Sequence, residues 1–367
     1  MESIKYIEKF PTSLDTYVMG PMKFSARSRT SLDMLLAKKE LISIPMSTYE
    51  SALYTCVNRG AKFSRLVPEG IHAVVIRDIM TRAPVLEARD IEQAMQISKY
   101  IGGNFEELKD IAQSTTRFGT VLDIKAYHVG NDVYVRLIMQ TGEAAGHNMT
   151  TKAGTRILQH LLKHFDGATY GSDSGNMCTD KKSAAINAIT GRGKSVITEI
   201  NIPREICEMH LKTTPEAIER LNTKKNLQGS IAAGTQFSAN AHYSNIIAAM
   251  YIATGQDVAN VVEGSYGITQ AKVTNEGNLY FSTTHPCLIV GSKGHGRESE
   301  SQQRSLKLLG CLEFDKPNGY NAQRLAAIVG AAAALGELSL LADQTTGGRL
   351  IQAHERFERT LDIAEVS

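Results

Sequence analysis

The spacing of apolar and polar positions changes several times along the chain. Residues 1–45 are polar and irregular, with a turn predicted at Gly20-Pro21. Ser47 or Thr48 can cap a helix predicted to run to about Val57 and to stop near Asn58-Arg59-Gly60. Glu50 then falls in its first turn, where the helix dipole favours a carboxylate. Residues 71–78 read as a short buried strand leading into Met80-Thr81-Arg82-Ala83-Pro84, whose proline fixes an extended exit. Helices are predicted over 91–101 and 105–113, separated by Gly102-Gly103-Asn104. Two strands follow, 120–128 and 133–139, and Gly130-Asn131-Asp132 between them signals a hairpin. Ile157, Leu158, Leu161, Leu162 and Phe165 keep helical spacing in a helix ending near Phe165.

The second half opens on Ser174–Asn187, a polar loop that becomes a small-residue helix start. A strand is predicted over 195–202, and Thr214-Pro215-Glu216 starts a helix with a threonine cap and proline at the first position. Residues 231–234 and 240–254 are rich in small residues, so helices there can pack closely. Gly255-Gln256 breaks that pattern, and Asp257 caps the next helix, 258–262. A strand over 278–290 ends in the glycine loop 291–297, and 321–341 is the most apolar long helix. Residues 84–170 thus read helix, hairpin, helix, bounded by strands. The predicted fold is α+β: a large domain around the long apolar helix, with a small ferredoxin-like α+β domain inserted at 84–171 between residues 1–83 and 172–367.

Composition narrows the function classes. A chain of 367 residues with 42% hydrophobic content suits two domains, or one domain carrying an insertion. A net charge of +2 and the absence of tryptophan give nucleic acid or an acidic membrane no special attraction. Five scattered cysteines have neither metal-ligand nor redox spacing, so no metal site is expected and a reduced, cytoplasmic setting is. The start lacks the apolar run of a signal peptide. Glu337 within the apolar stretch 325–342, flanked by Arg324 and Asp343, makes that stretch a buried helix rather than a membrane span.

Candidate chemistry concentrates in a few places. Asp180, Lys181 and Lys182 sit together at a loop-to-helix junction beside Thr179 and Ser183. A lysine there can be a fixed cation for a developing oxyanion, or one of two ordinary lysines on a capped surface helix. Thr141-Gly142-Glu143-Ala144-Ala145-Gly146-His147-Asn148 precedes a helix, and its small residues would let a phosphate approach the helix N-terminus, unless it is only a plain cap. Thr190-Gly191-Arg192-Gly193-Lys194-Ser195 ends like a P-loop but lacks its first glycine and leads into a strand, so it is not one. The loop 291–297 carries Lys293, His295 and Arg297, which could close on phosphates or simply be exposed.

Together these segments resemble the 3-hydroxy-3-methylglutaryl-coenzyme A (HMG-CoA) reductase family, in order, from about residue 43 to 357. Pro45-Met46-Ser47-Thr48-Tyr49-Glu50, Asn58-Arg59-Gly60, Met80–Val85 and Gly175–Asn187 carry the likeness most specifically. Lys225–Ser230, Asn240-Ala241-His242, Gly255-Gln256-Asp257 and Gly336–Leu340 add to it. The Asp-Lys-Lys form resembles that of the class I enzymes more than the class II ones. The resemblance implies reduction of HMG-CoA to mevalonate by two NADPH, with NADH the lesser candidate. It also implies a homodimer whose active site lies between subunits, and an inserted domain that carries the cofactor. By matching position, Glu50, Lys181, Asp257 and His354 are the implied catalytic residues. Arg82, Ser174, Asp180 and Lys182 would grip the substrate carboxylate. Asn58, Arg59 and His242, with Lys225 and Asn245, would bind the rest of the substrate. Arg117, Phe118, Glu143, Ala144, Gly146, Asn148 and Arg359 would bind the cofactor. Two other functions stay open beside it: a reductase of the same fold acting on another acyl thioester, and a non-catalytic relative with a binding or regulatory role.

Overall fold

The computed structural model describes residues 14–30, 33–348 and 351–352. Eleven strands form one sheet, β1 (Tyr17–Ser28), β2 (Leu35–Met46), β3 (Ile71–Arg82), β4 (Val85–Glu87), β5 (Thr120–Val129), β6 (Asp132–Gln140), β7 (Thr169–Ser172), β8 (Gly193–Ile202), β9 (Ser238–Ala239), β10 (Gly267–Val273) and β11 (Leu279–Leu288). The principal helices are α1 (Ser51–Leu66), α2 (Ile91–Gly103), α3 (Phe105–Gln113), α4 (His147–His164), α5 (Ala185–Thr190), α6 (Pro215–Asn222), α7 (Tyr243–Ala253), α8 (Val261–Gly264), α9 (Glu300–Leu308) and α10 (Tyr320–Gln344).

The strand order is β7-β4-β6-β3-β8-β11-β10-β9, with β1 joined to β3, β2 to β1 and β5 to β6. β3 is the seam. Its residues His72–Ile79 pair with β8, and its last three, Met80–Arg82, pair with Leu137–Met139 of β6. The chain therefore delivers Arg82 to the place where the two parts of the sheet meet.

The apolar side chains segregate accordingly. One core surrounds α10 and draws on β1–β3, α1, α7, β8 and β11. A second is built from Leu86, Ile97, Leu108, Val133, Val135, Leu137, Ile157 and Leu161, with their neighbours in β4–β6 and α2–α4. α10 is buried nearly all round, which is why it shows no polar stripe. Of its membrane-length apolar window 94% is buried in protein, so it is a core helix. Three polar side chains hold it to the sheet: Gln323 donates to Asp78 at 3.0 Å, and Asp78 pairs with Lys194 at 3.3 Å, both almost fully buried.

Several boundaries differ from those the sequence suggests. Within the segment read as irregular, β1 and β2 form an antiparallel pair that buries Met22, Phe24, Ala26, Leu36, Ile42 and Ile44. Polar residues on the outer face mask that alternation. Gly20-Pro21 is an irregularity within β1, not a turn. α1 does not stop at Gly60 but runs on to Leu66. A side chain at Gly60 would meet the Leu335 carbonyl oxygen at 2.3 Å, so this glycine marks contact with α10 rather than a helix end. β3 continues to Arg82, α2 runs through both of its glycines, and β10, which turns Ile268 outward and buries Thr269, was not predicted. The 120–128 and 133–139 hairpin, the 105–113 helix and the Thr214 cap, which accepts from the Ala217 amide, match expectation.

Candidate active site

The Ser174–Asn187 loop is held in an unusual shape. Asn176, Thr179 and Lys181 all have positive φ, at 63°, 57° and 56°. Such backbone is costly without glycine, so the surroundings must impose it. They do. Thr81 donates to the Cys178 carbonyl at 3.1 Å, Asn187 to the Thr179 carbonyl at 3.1 Å, and Tyr266 to the Lys182 carbonyl at 2.9 Å. The Lys181 amide donates to Glu263 of α8.

This shape brings the charges together. The Lys181 ammonium lies 2.9 Å from an Asp257 oxygen, so Asp257 both orients the lysine and caps the turn Val258–Asn260 through the Ala259 amide. The hydrogen bond to Asp257 raises the Lys181 pKa above its ordinary value, and the smaller effect of burial opposes it. Burial, the largest single effect, would raise Asp257, but Lys181, the Ala259 amide and His147 together outweigh it and the net shift is downward. Both members are thus charged through the neutral range. Asp180 faces Arg192 at 3.0 Å, His147 at 3.6 Å and Arg82 at 3.8 Å. Burial works against its carboxylate, yet His147, Arg192 and Arg82 together hold it far below the usual carboxylate range. Arg82 also donates to Ser174 at 3.0 Å. Lys182 is exposed, its ammonium 3.1 Å from the Asp180 carbonyl. The arrangement offers a fixed ammonium for a developing oxyanion and a guanidinium cluster for a carboxylate.

A second group gathers around α1 and α7. Glu50 directly precedes α1, and its carboxylate accepts from Asn245 at 3.2 Å. Among the described residues no ion pair joins Glu50 to Lys181. The His242 amide, with that of Ala241, donates to the buried carboxylate of Glu337 on α10. Asn58 accepts from the Gly20 amide at 3.1 Å, while Arg59 pairs with Asp343 and donates to Ser339 at 3.0 Å. These two predicted substrate residues therefore also tie α1 to β1 and α10. Lys225 is half-buried in a π-helical turn, Thr223–Gly229.

Four of the predicted cofactor residues line one cleft. Arg117, Phe118, Glu143 and Ala144 line a cavity of about 810 Å³ together with Met149, Lys293 and Arg297. Gly146, at φ 99°, opens α4, and the exposed Asn148 stands in its first turn. The loop 291–297 is partly pinned. Ser292 and Lys293 donate through their amides to the Glu143 carbonyl, and buried Arg297 donates to Gln256 at 2.9 Å. Lys293 and His295 remain exposed. The Glu143 side chain also caps α10, its carboxylate accepting from the amides of Gly319, Asn321 and Ala322. His354 and Arg359 lie outside the described residues.

Sequence reasoning missed Glu263, Arg192 and His147 as parts of the site. The available signal for Glu263 was a lone acid in the apolar run Val261-Val262-Glu263-Gly264.

A lysine held on an aspartate, in the same chain as a cleft of about 810 Å³, can stabilise an oxyanion on a bound substrate. The family profile of hydroxymethylglutaryl-coenzyme A reductase matches residues 31–359. The 3-hydroxy-3-methylglutaryl-coenzyme A reductase of Pyrococcus abyssi is 40% identical over 343 residues, covering 93% of this chain and 81% of that protein. That of Aeropyrum pernix is 45% identical over 317 residues, 86% of this chain and 74% of that one. The chain belongs to the hydroxymethylglutaryl-coenzyme A reductase family, oxidoreductases of the mevalonate pathway. Its fold resembles the class II enzyme of Streptococcus pneumoniae bound to NADPH, with a TM-score of 0.70 at 17% identity over 94% of this chain and 88% of that one.

Proposed function

We propose that the protein reduces HMG-CoA to mevalonate and CoA in two successive two-electron steps, with NADPH as reductant. The observation that carries this reading is the Lys181–Asp257 pair, 2.9 Å apart in the loop that also holds Ser174, Asp180 and Lys182. Arg82, Ser174 and Lys182 bind the distal carboxylate of the substrate, which leaves the thioester carbonyl to Lys181. The ammonium stabilises the oxyanion formed on that carbonyl, and Asp257 keeps the ammonium aimed at it. The Glu50 carboxyl donates a proton to the aldehyde oxygen in the second reduction, and His354 protonates the departing CoA thiolate.

Because Glu50 rests on Asn245 while Lys181 rests on Asp257, a second copy of the chain supplies the missing acid to each site. The active unit is then a homodimer. Residues 84–171, which have an apolar core of their own, act as an inserted ferredoxin-like cofactor domain between 1–83 and 172–367.

The cofactor fits the 810 Å³ cleft chemically: Arg117 and Lys293 suit phosphates, and Phe118 suits an aromatic base. When bound it supplies hydride. The Arg117 guanidinium already lies over the Phe118 ring, 4.8 Å from its centroid, so that edge of the cleft is organised.

Adding HMG-CoA to protein and NADPH is expected to bleach the near-ultraviolet absorbance of the cofactor. An acyl-CoA without the distal carboxylate should leave it largely unchanged, because it would offer no anion to Arg82, Ser174 and Lys182. Absence of turnover with NADPH and NADH alike, in folded dimer, would overturn the reading.

A further inference from the structure

Lys181 is held at both ends by one short stretch of chain. Its ammonium meets Asp257, and its backbone N–H donates to a carboxylate oxygen of Glu263, six residues further on. The grip on the backbone matters because Lys181 has φ 56°, a conformation a lysine rarely adopts unaided. Glu263 is wholly buried, so it cannot meet substrate. Arg192, also wholly buried, stands behind it: one guanidinium nitrogen lies 3.1 Å from Glu263 and 3.0 Å from Asp180. A closed ring results, running from the Lys181 amide through Glu263, Arg192 and Asp180 and back along one peptide bond. Asn260 closes it from the inside, 3.4 Å from Glu263 and 3.5 Å from Asp180.

Stability alone is a poor reason for such a ring. A buried ion pair is often matched or bettered by apolar packing of the same volume. What the ring supplies is direction. Asp180, which faces the Arg82 guanidinium, and Lys181, which holds Asp257, are adjacent residues whose side chains must point to different partners. The left-handed backbone at Lys181 sets that divergence.

We propose that Glu263, backed by Arg192, is a positioning residue that fixes the left-handed backbone of Lys181 and so aims its ammonium. The inference rests on the role given to Lys181 above.

The test uses the full-length protein in four forms, wild type, K181A, E263Q and E263A. Glu263→Gln keeps an acceptor for the Lys181 amide but removes the charge that holds Arg192. Glu263→Ala removes both. The expected result is a graded loss of kcat, roughly 10-fold in E263Q and more than about 100-fold in E263A, as expected when a reacting group is misplaced by an ångström. KM for NADPH should stay close to wild type, because the cleft proposed for it shares no residue with the ring. That split separates aiming from general damage, which would move KM and folded fraction together. If E263A does not fold, E263Q decides: lowered kcat at wild-type melting temperature supports the proposal, and wild-type kcat overturns it. An inactive K181A beside a fully active E263A would overturn this inference alone. A fully active K181A would overturn the role of Lys181 and the inference with it.

Discussion

At the residue scale, the site depends on charges that burial would otherwise neutralise. Asp180 is the clearest case. Its carboxyl is held far below its unfolded value of about 3.9, so its ionised form contributes stability above that pH. That contribution is lost as pH falls toward its folded value. The melting temperature of the wild type should therefore drop below about pH 4, and D180N should start lower at neutral pH but lose less on acidification. Parallel melting curves that keep a constant gap at all pH values would contradict this. The sequence made Asp180, Lys181 and Asp257 legible because motif and chemistry agree on them. It left Glu263 and Arg192 unread. Their partners are 82 and 12 residues away in the chain, and nothing in local composition reports such a contact.

At the scale of elements, local signals predicted what local physics decides. The Asn131 hairpin, the Thr214-Pro215 helix start and the Asp257 cap all appear where turn and cap chemistry puts them. Errors arose where a tertiary contact overrides a local preference. Gly60 reads as a helix stop, yet α1 continues through it because α10 passes against its backbone. Gly60→Ala would set a methyl group 2.3 Å from the Leu335 carbonyl oxygen. Overpacking of this kind costs about 1–3 kcal/mol, although alanine is by itself the better helix former. A lowered urea midpoint is the expected result, and a raised one would show that α1 and α10 separate freely. β1 and β2 were hidden for a different reason: their outward faces carry Lys23, Arg27, Lys38 and Lys39, so the pair looks like solvated coil from sequence.

At the scale of the whole molecule, the described residues of one chain hold two separate polar clusters. Lys181 with Asp257, and Glu50 with Asn245, are each internally ordered, and neither completes the other. If two copies share each site, mixing inactive K181A with inactive E50Q restores activity. A mixed dimer has one site with both groups intact, so random exchange should return about one quarter of wild-type activity. No return on exchange would place Glu50 and Lys181 in the same subunit's site. The buried α10 was legible from pattern, but the sheet only in part, since β1, β2 and β10 went unread, and Arg117, Phe118 and Glu143 were grouped by family resemblance and not by pattern. These residues come from separate segments that only the fold brings together.

The most direct measurement counts cofactor against product. HMG-CoA is supplied in limiting amount, NADPH oxidation is followed to completion, and free thiol is titrated at the end. Two NADPH should be consumed for each CoA released, since the thioester is carried through the aldehyde to the alcohol at one site. One NADPH per CoA, with aldehyde accumulating, would contradict this, as would release of CoA without any cofactor oxidised.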